Sequence, residues 1–285
     1  MKLSESYEIV KKSIIAFIPK YLPHTPAFPP IMGTGFIIRE NGLIVTNDHI
    51  LKVISKMPKP PNAPPEEIPA RVLFFKITER GLTTVPLEVM GLLGIKEYNP
   101  GPSYYGPKIP DIGFVQVKAM GLPALEIDAS LFLEEGLEVA TAGFPMGTDA
   151  LMAPGWLHQI TPILQKGIIS AVLPFKTVKP HAFALNVMTQ GGASGSPVFL
   201  PETAKVVGVL YASLFDINEI TQDSNNTKYR VPTNISYAAP SYLIADLLKT
   251  IINVHDSLIS KIKVENIDEI IKREIKQIDL KAKDK

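Results

Sequence analysis

Between Gly33 and about Ala239 the chain consists of short apolar segments separated by turn residues, and this pattern constrains the fold more than any other feature. Most segments are five to nine residues long, and several are rich in Val, Ile and Phe. A parallel α/β sheet needs a helix after nearly every strand, and no helical pattern of ten residues or more lies between these segments. The segments therefore predict an all-β architecture of barrels or sandwiches. In chain order they are GFIIR, LIVTN, RVLFFKIT, PLEVMGLL, IGFVQV, LEVATAGF, ILQKGIISAV, FALNVM, SPVFL, KVVGVLY and ISYAA.

Helical spacing is confined to the two ends of the chain. Over residues 1–18 apolar side chains recur at intervals of three and four before Pro19, which predicts an N-terminal helix. The same spacing over residues 241–262 and 264–283 predicts two C-terminal helices. An isoleucine stripe in the second of these could pack on the domain or pair with another chain. The stripe consists of Ile267, Ile271, Ile275 and Ile278.

Two proline-rich stretches, at residues 55–69 and 98–110, interrupt the apolar pattern. Proline cannot join a central strand, so both are predicted to be surface excursions. The second stretch runs directly into Asp111, and the alternative interpretation is that these stretches border a cleft.

Composition excludes several classes of function. The 285 residues are 46% hydrophobic and 20% charged, which suits a packed core in one large or two small domains. The formal net charge of +1 argues against nucleic acid or an acidic membrane as partner. With no cysteine, and no Walker, zinc-helix or Rossmann motif, no metal or cofactor is expected. No signal peptide or membrane-spanning run is visible, so a cytoplasmic protein is expected.

The stretch TQGGASGSPVF, residues 189–199, places Ser194 among glycines. A serine hydroxyl needs a base to take its proton, usually a histidine, and that imidazole needs a partner to fix its tautomer. Of five histidines, His49 directly follows a buried-looking strand in GLIVTNDHI, so a rigid element would position it beside a cleft. The other histidines lie in proline-rich, loop-like or helical surroundings.

Asp111 is the candidate acid because it opens the apolar segment DIGFVQV, where a buried carboxylate must be hydrogen-bonded. Asp48 is a poor candidate, since neighbouring side chains on a strand point to opposite faces. The resulting order of histidine, aspartate and serine is that of chymotrypsin. An α/β-hydrolase is excluded because Ser196 stands where its motif needs glycine, and because only His255, in a helical tail, follows the serine.

These motifs resemble the chymotrypsin-fold serine proteases, and most closely those of the HtrA (Deg) type. GTGFIIRENGLIVTNDHI is similar to the strands that end in the family's catalytic histidine, PDIGFVQVK to its aspartate strand and GGASGSPVF to its serine loop. The resemblance implies two antiparallel six-stranded β-barrels with helical extensions at both ends. The implied domains are an N-terminal helix and linker (1–29), a protease domain (30–245, with barrels 30–120 and 121–245) and a C-terminal extension (246–285).

The resemblance also implies roles for individual residues. Ser194 would be the nucleophile, His49 the base and Asp111 the residue that orients the imidazole. The backbone N–H groups of Gly192 and Ser194 would form the oxyanion hole. Met188 and Thr189 would lie at the specificity pocket, with no charge at its floor, so cleavage is expected after apolar or small residues. The residues expected to pair with the substrate backbone are Tyr211, Ala212 and Ser213.

The chain departs from HtrA-type proteins in two ways. Too few residues follow the barrels for a PDZ domain, and Ser196 replaces the second glycine after the serine. The expected function is an endopeptidase acting on unfolded polypeptides, and the family resemblance suggests a trimer, with the helical extensions as candidate contacts. The alternatives are an inactive peptide-binding or chaperone module on the same scaffold and an acyl ester hydrolase.

Overall fold

Strands dominate the molecule and close into two six-stranded antiparallel barrels, which confirms the predicted fold class. The computed structural model describes residues 1–22, 30–79, 81–129, 133–145, 161–175, 177–222 and 225–283. The first barrel has the strand order β1-β2-β3-β6-β5-β4. Its strands are β1 (Ile14–Pro19), β2 (Gly33–Arg39), β3 (Leu43–Thr46), β4 (Ala70–Thr78), β5 (Gly81–Leu93) and β6 (Gly113–Val117).

The second barrel has the strand order β10-β13-β12-β11-β8-β9. Its strands are β8 (Glu138–Gly143), β9 (Ile163–Leu173), β10 (Ala182–Leu185), β11 (Pro197–Phe199), β12 (Val206–Gln222) and β13 (Asn225–Pro240). Between the barrels β7 (Ala119–Met120) pairs in parallel with β14 (Glu265–Asn266). The helices are α1 (Leu3–Val10), continued by a 3₁₀ turn (Lys11–Ser13), α2 (Asp48–Ser55), α3 (Ser241–Ser260) and α4 (Ile267–Lys283).

The prediction of one helix over residues 1–18 is wrong in its second half. The helix and its 3₁₀ turn end at Ser13, and Ile14–Pro19 is the first strand of the first barrel, ahead of the predicted start at residue 30. Every side chain from Ile14 to Phe17 is fully buried, because both faces of this strand are covered. A short, continuous apolar run fits a buried strand as well as a helix, so periodicity could not separate the two.

The Asn41-Gly42 turn joins β2 and β3 into a hairpin, and only glycine fits its second position. Gly42 has a φ of +92°, in the left-handed region. A Cβ added to Gly42 would lie 2.6 Å from the carbonyl oxygen of Ala119. The turn is therefore held against the linker between the barrels, while β3 pairs with the aspartate strand β6.

The two C-terminal helices pack on the barrels. Of the two alternatives for the isoleucine stripe, packing on the domain is the one observed. Ile267 and Ile271 on α4 are 3% and 6% exposed and join the core cluster of the first barrel. Ile275 packs against the same cluster while partly exposed, and the side chain of Ile278 lies outside the described residues. None of the helices described is long and apolar enough to cross a membrane.

Helix α3 is fixed to the first barrel by a buried polar pair. Gln116 on β6 donates through Nε2 to the carbonyls of Asn41 (2.6 Å) and Val117 (2.8 Å). Its Oε1 therefore accepts from the Nε2–H of His255, at 2.8 Å. Both side chains are fully buried, so neither can exchange this bond for water.

Replacing Gln116 with leucine is expected to destabilise the fold by about 1–3 kcal/mol, the usual cost of leaving a buried donor unpaired. The double variant Gln116→Leu, His255→Phe also removes the unpaired imidazole N–H and is expected to recover part of this loss. The carbonyls of Asn41 and Val117 still lose their donor, so recovery is expected to be incomplete. Urea unfolding of the three proteins measures the difference. Equal midpoints for the single variant and the unaltered protein would contradict the role given to the pair.

Candidate active site

His49 and Asp111 meet at two points. The backbone N–H of His49 donates to Oδ1 of Asp111 at 2.9 Å, and Nδ1 of the imidazole lies 2.6 Å from Oδ2. An ionised carboxylate only accepts hydrogen bonds, so the proton of the neutral imidazole sits on Nδ1. The lone pair is then on Nε2, and the 42% exposed side chain leaves it accessible.

His49 follows strand β3, as the sequence predicted, but it lies in the first turn of a helix that the sequence did not predict, α2. Strand β3 ends at Thr46, and α2 begins two residues later at Asp48. Asp48 turns away from the imidazole and pairs with Lys52 at 2.6 Å. Asp48 therefore does not orient His49, as predicted. The reason is not strand alternation: both residues lie in helix α2, and the carboxylate of Asp48 pairs with Lys52.

The residue that precedes α2, Asn47, fixes the backbone of Asp111. The buried Asn47 donates through Nδ2 to the backbone carbonyl of Asp111 at 2.8 Å. Loop 98–110 ends in a tight turn here, because the N–H of Ile112 bonds to the carbonyl of Pro110. The loop is only partly a surface excursion: burial raises the pKa of Tyr98 and Tyr104 to about 12, and both rings pack on the core.

The serine loop contains a turn that orients its amide groups. The N–H of Ala193 bonds to the carbonyl of Gln190 at 3.1 Å, and Gly192, in the third position, has a φ of +94°. A positive φ at this position is the signature of a type II turn. Relative to type I, the peptide between the two central residues is flipped, so the N–H of Gly192 points the opposite way.

Ser196 strengthens the serine loop instead of disrupting it. Its hydroxyl and its N–H both donate to the carbonyl of Ala193, at 2.6 and 3.0 Å. Among the described residues only Ala204 combines a side chain larger than hydrogen with a positive φ, so serine is unstrained at position 196. Gly195 does need its left-handed conformation, with a φ of +87°.

Thr34 on β2 joins the two barrels at this loop. Its Oγ1 donates to the carbonyl of Gly192 at 2.7 Å and accepts from the N–H of Phe144 at 3.1 Å. Its backbone N–H donates to the carbonyl of Ser194 at 2.8 Å, and its carbonyl accepts from Thr46 Oγ1 at 2.8 Å. A continuous set of hydrogen bonds thus runs from the serine loop to the end of the strand that precedes His49.

Ser194 is half-buried at the seam between the barrels. In the part of the chain that the structure describes, its hydroxyl makes no hydrogen bond to His49, whereas the His49–Asp111 pair is fully formed. Two positions that the sequence did not single out support predicted site residues: Thr34 bonds to the carbonyl of Ser194, and Asn47 bonds to the carbonyl of Asp111. The sequence signals that could have indicated these two residues are the position of Thr34 between two glycines and the position of Asn47 two residues before His49.

Hydroxyl groups line the region predicted as the specificity pocket. Ser236 donates to the carbonyl of Val187 at 2.8 Å, so Thr189 must donate to Ser236 at 2.7 Å, and Ser213 to Thr189 at 2.5 Å. This neutral chain uses all three hydroxyl protons. Thr189 is 4% exposed, but Met188 is 44% exposed and is not part of the core.

The predicted substrate-pairing residues, Tyr211 to Ser213, form part of β12 just beyond its contact with the serine loop. There the N–H of Gly195 bonds to the carbonyl of Leu210, and the N–H of Leu210 bonds to the carbonyl of Ser196. Burial, and then the nearby Tyr237 and Asp111, raise the pKa of Tyr211. Its phenol therefore stays neutral beside the carboxylate.

Comparisons with solved structures place this geometry in a known architecture. HtrA-type protease AlgW with tripeptide has a TM-score of 0.51 and 15% sequence identity, over 88% of this chain and 64% of that one. The serine endoprotease from Yersinia pestis has a TM-score of 0.52 and 15% identity, over 89% of this chain and 67% of that one. The chain thus spans slightly less than two thirds of AlgW.

The family comparison is more specific than the structural likeness. No curated protein matches the chain. The model of the trypsin-like peptidase domain matches residues 33–209, which begin at β2 and end in β12. This match covers more than half of the chain, so the protein belongs to the trypsin-like peptidase family.

Proposed function

We propose that the protein is an endopeptidase in which Ser194, His49 and Asp111 act together on unfolded polypeptides. The observation that carries this proposal is the double contact of Asp111 with the backbone and the imidazole of His49, which leaves Nε2 free to accept a proton. The peptide complexes among the similar structures, AlgW with tripeptide and AlgW with decapeptide, support a polypeptide substrate.

In the proposed reaction Ser194 Oγ attacks the carbonyl carbon of the scissile peptide while its proton moves to His49 Nε2. Asp111 stabilises the imidazolium that forms. The imidazolium gives the proton to the leaving amine, and the C–N bond breaks to leave an acyl group on Ser194. Water then attacks the ester in the same manner and releases the acid.

The tetrahedral oxyanion would accept hydrogen bonds from the N–H groups of Gly192 and Ser194. The positive φ of Gly192 supports this assignment, because a type II turn presents its N–H differently from a type I turn. Thr34 holds the carbonyls of both residues from the other barrel. The donors are therefore fixed before the substrate arrives, which makes such a site effective.

The side chain before the cut is expected to be small or apolar. The hydroxyls of Thr189, Ser213 and Ser236 are neutral and already bonded to one another, so they offer no counter-charge to lysine or arginine. Burying an unpaired ammonium or guanidinium group beside them would be costly. The exposed Met188 supplies an apolar surface next to this chain.

The substitution Ser194→Ala is expected to abolish both cleavage of an unfolded protein such as casein and labelling by a fluorophosphonate probe. The probe reacts only with an activated serine, so Ser260→Ala, on the exposed surface of α3, is the matched control and should label normally. Failure of the unaltered protein to label would favour the peptide-binding module. Labelling with turnover of acyl esters but not of peptides would favour the ester hydrolase.

A further inference from the structure

Strand β12 is much longer than β11, the strand with which it pairs on one side. It pairs with β11 only at Val206, Gly208 and Val209. On its other side it pairs with β13 as far as Gln222, opposite Asn225. Beyond Leu210 the β11 side of β12 has no partner strand among the described residues.

The open edge begins at the proposed substrate-pairing residues and continues past them. From Leu214 to Gln222 it runs for about nine residues, or about 30 Å at the usual rise of a strand. Thr189 bonds to Ser213, so the pocket for the side chain before the cut adjoins the start of this extension. Residues upstream of the cut are therefore the ones that would continue along it.

The two-stranded arm formed by β12 and β13 also exposes apolar side chains. Leu214 and Ile217 on β12 are 41% and 61% exposed, and Val231 and Ile235 on β13 are 36% and 38% exposed. A two-stranded ribbon is marginally stable in water on its own, and an unpaired edge offers a row of N–H and C=O groups to another strand. Exposed apolar side chains beside such an edge suit an extended, apolar polypeptide.

We infer that this arm extends the substrate site, so that an unfolded segment adds as a third strand along β12 from Tyr211 to at least Ile217. The backbone supplies affinity through main-chain hydrogen bonds, and the apolar side chains select segments that a folded protein would bury. The inference rests on the proposed function, because it assigns the upstream part of the same substrate. It makes the enzyme dependent on the length of unfolded chain before the cut.

The first test leaves the protein unchanged. Peptides with one sequence around the cut but three, five, seven or nine upstream residues are compared by kcat/KM. We expect a rise of about tenfold between the shortest and the longest, the size of two added backbone hydrogen bonds. N-methylation of upstream amides beyond the fourth residue removes donors and should cancel the rise. Equal kcat/KM across lengths, unaffected by N-methylation, would overturn the inference.

The second test shortens the arm. Asp216 pairs with Val231, so residues 217–230 can be replaced by an Asn-Gly turn across this pair. Cleavage of the shortest peptide and probe labelling should stay unchanged, while the further gain of the peptides with seven and nine upstream residues is lost. Retention of this further gain, or a change in oligomeric state with no effect on peptides, would overturn the inference. Failure of the unaltered protein to label with the probe would instead contradict the proposed catalytic site.

Discussion

Replacing Asp111 with asparagine is expected to lower kcat/KM by about 10⁴-fold, the loss that follows when the partner of a catalytic histidine becomes an amide. The amide oxygen can keep the bond to the backbone N–H of His49 that Oδ1 now accepts. The NH₂ group then faces Nδ1, where Oδ2 now lies at 2.6 Å. Nδ1 must accept, the proton moves to Nε2, and the base is lost. Steady-state peptide hydrolysis measures the effect.

Asp48→Asn is the matched control for this experiment. Asp48 is next to His49 in the chain, but its carboxylate pairs with Lys52 and, among the described residues, makes no hydrogen bond to the imidazole. The lysine of this pair is exposed to solvent, which weakens the ion pair. The control should keep its activity, with a slightly lower unfolding midpoint. If both variants lose activity equally, or if neither does, Asp111 does not hold the tautomer of His49.

Replacing Thr34 with valine is expected to lower kcat by about 10²–10³-fold, as for loss of an oxyanion donor, with a smaller effect on KM. Valine has the shape of threonine and keeps the backbone bond to Ser194, but it cannot donate to the carbonyl of Gly192. The turn is then free to flip and withdraw the N–H of Gly192. Thr34→Ser keeps the hydroxyl and should restore most of kcat.

Thr141→Val serves as the control for valine in a buried strand. Thr141 is 3% exposed, and its hydroxyl has no hydrogen-bond partner among the described residues, so the substitution should be neutral or stabilising. Thr34→Val is also expected to lower stability, because it leaves the buried N–H of Phe144 unpaired. A variant that loses stability but keeps its kcat and its rate of fluorophosphonate labelling would show that Thr34 is only structural.

The predictable part of the fold is the part encoded by local pattern. The strand segments and the Asn41-Gly42 turn follow from periodicity and turn chemistry, and they appear in the structure as β2, β3 and their successors. Strand β1 could not be predicted, because Ile14–Phe17 is apolar on both faces and carries no period. Only the partners of this segment, β2 and β4, decide that it is a strand.

For the candidate site, residue type and chain order indicated His49, Asp111 and Ser194, but not how they are supported. The contacts of Thr34 join positions more than 150 residues apart, from β2 to Gly192, and no local pattern reports such a distance. The helical position of His49 was missed because α2 has only eight residues. The hydrogen bond between Thr189 and Ser236 could not be predicted either, because Ser236 lies on a strand that is distant in the sequence, β13.

The location of the proposed triad at the seam matters during synthesis. The segments that carry His49 and Asp111 leave the ribosome first, and the loop bearing Ser194 follows roughly eighty residues later. The turn at Gly192 has its tether, Thr34, in the earlier half. We expect the nascent chain to be inactive until the second barrel has folded and packed against the first. An incompletely synthesised chain would then not cleave other nascent chains on the same polysome.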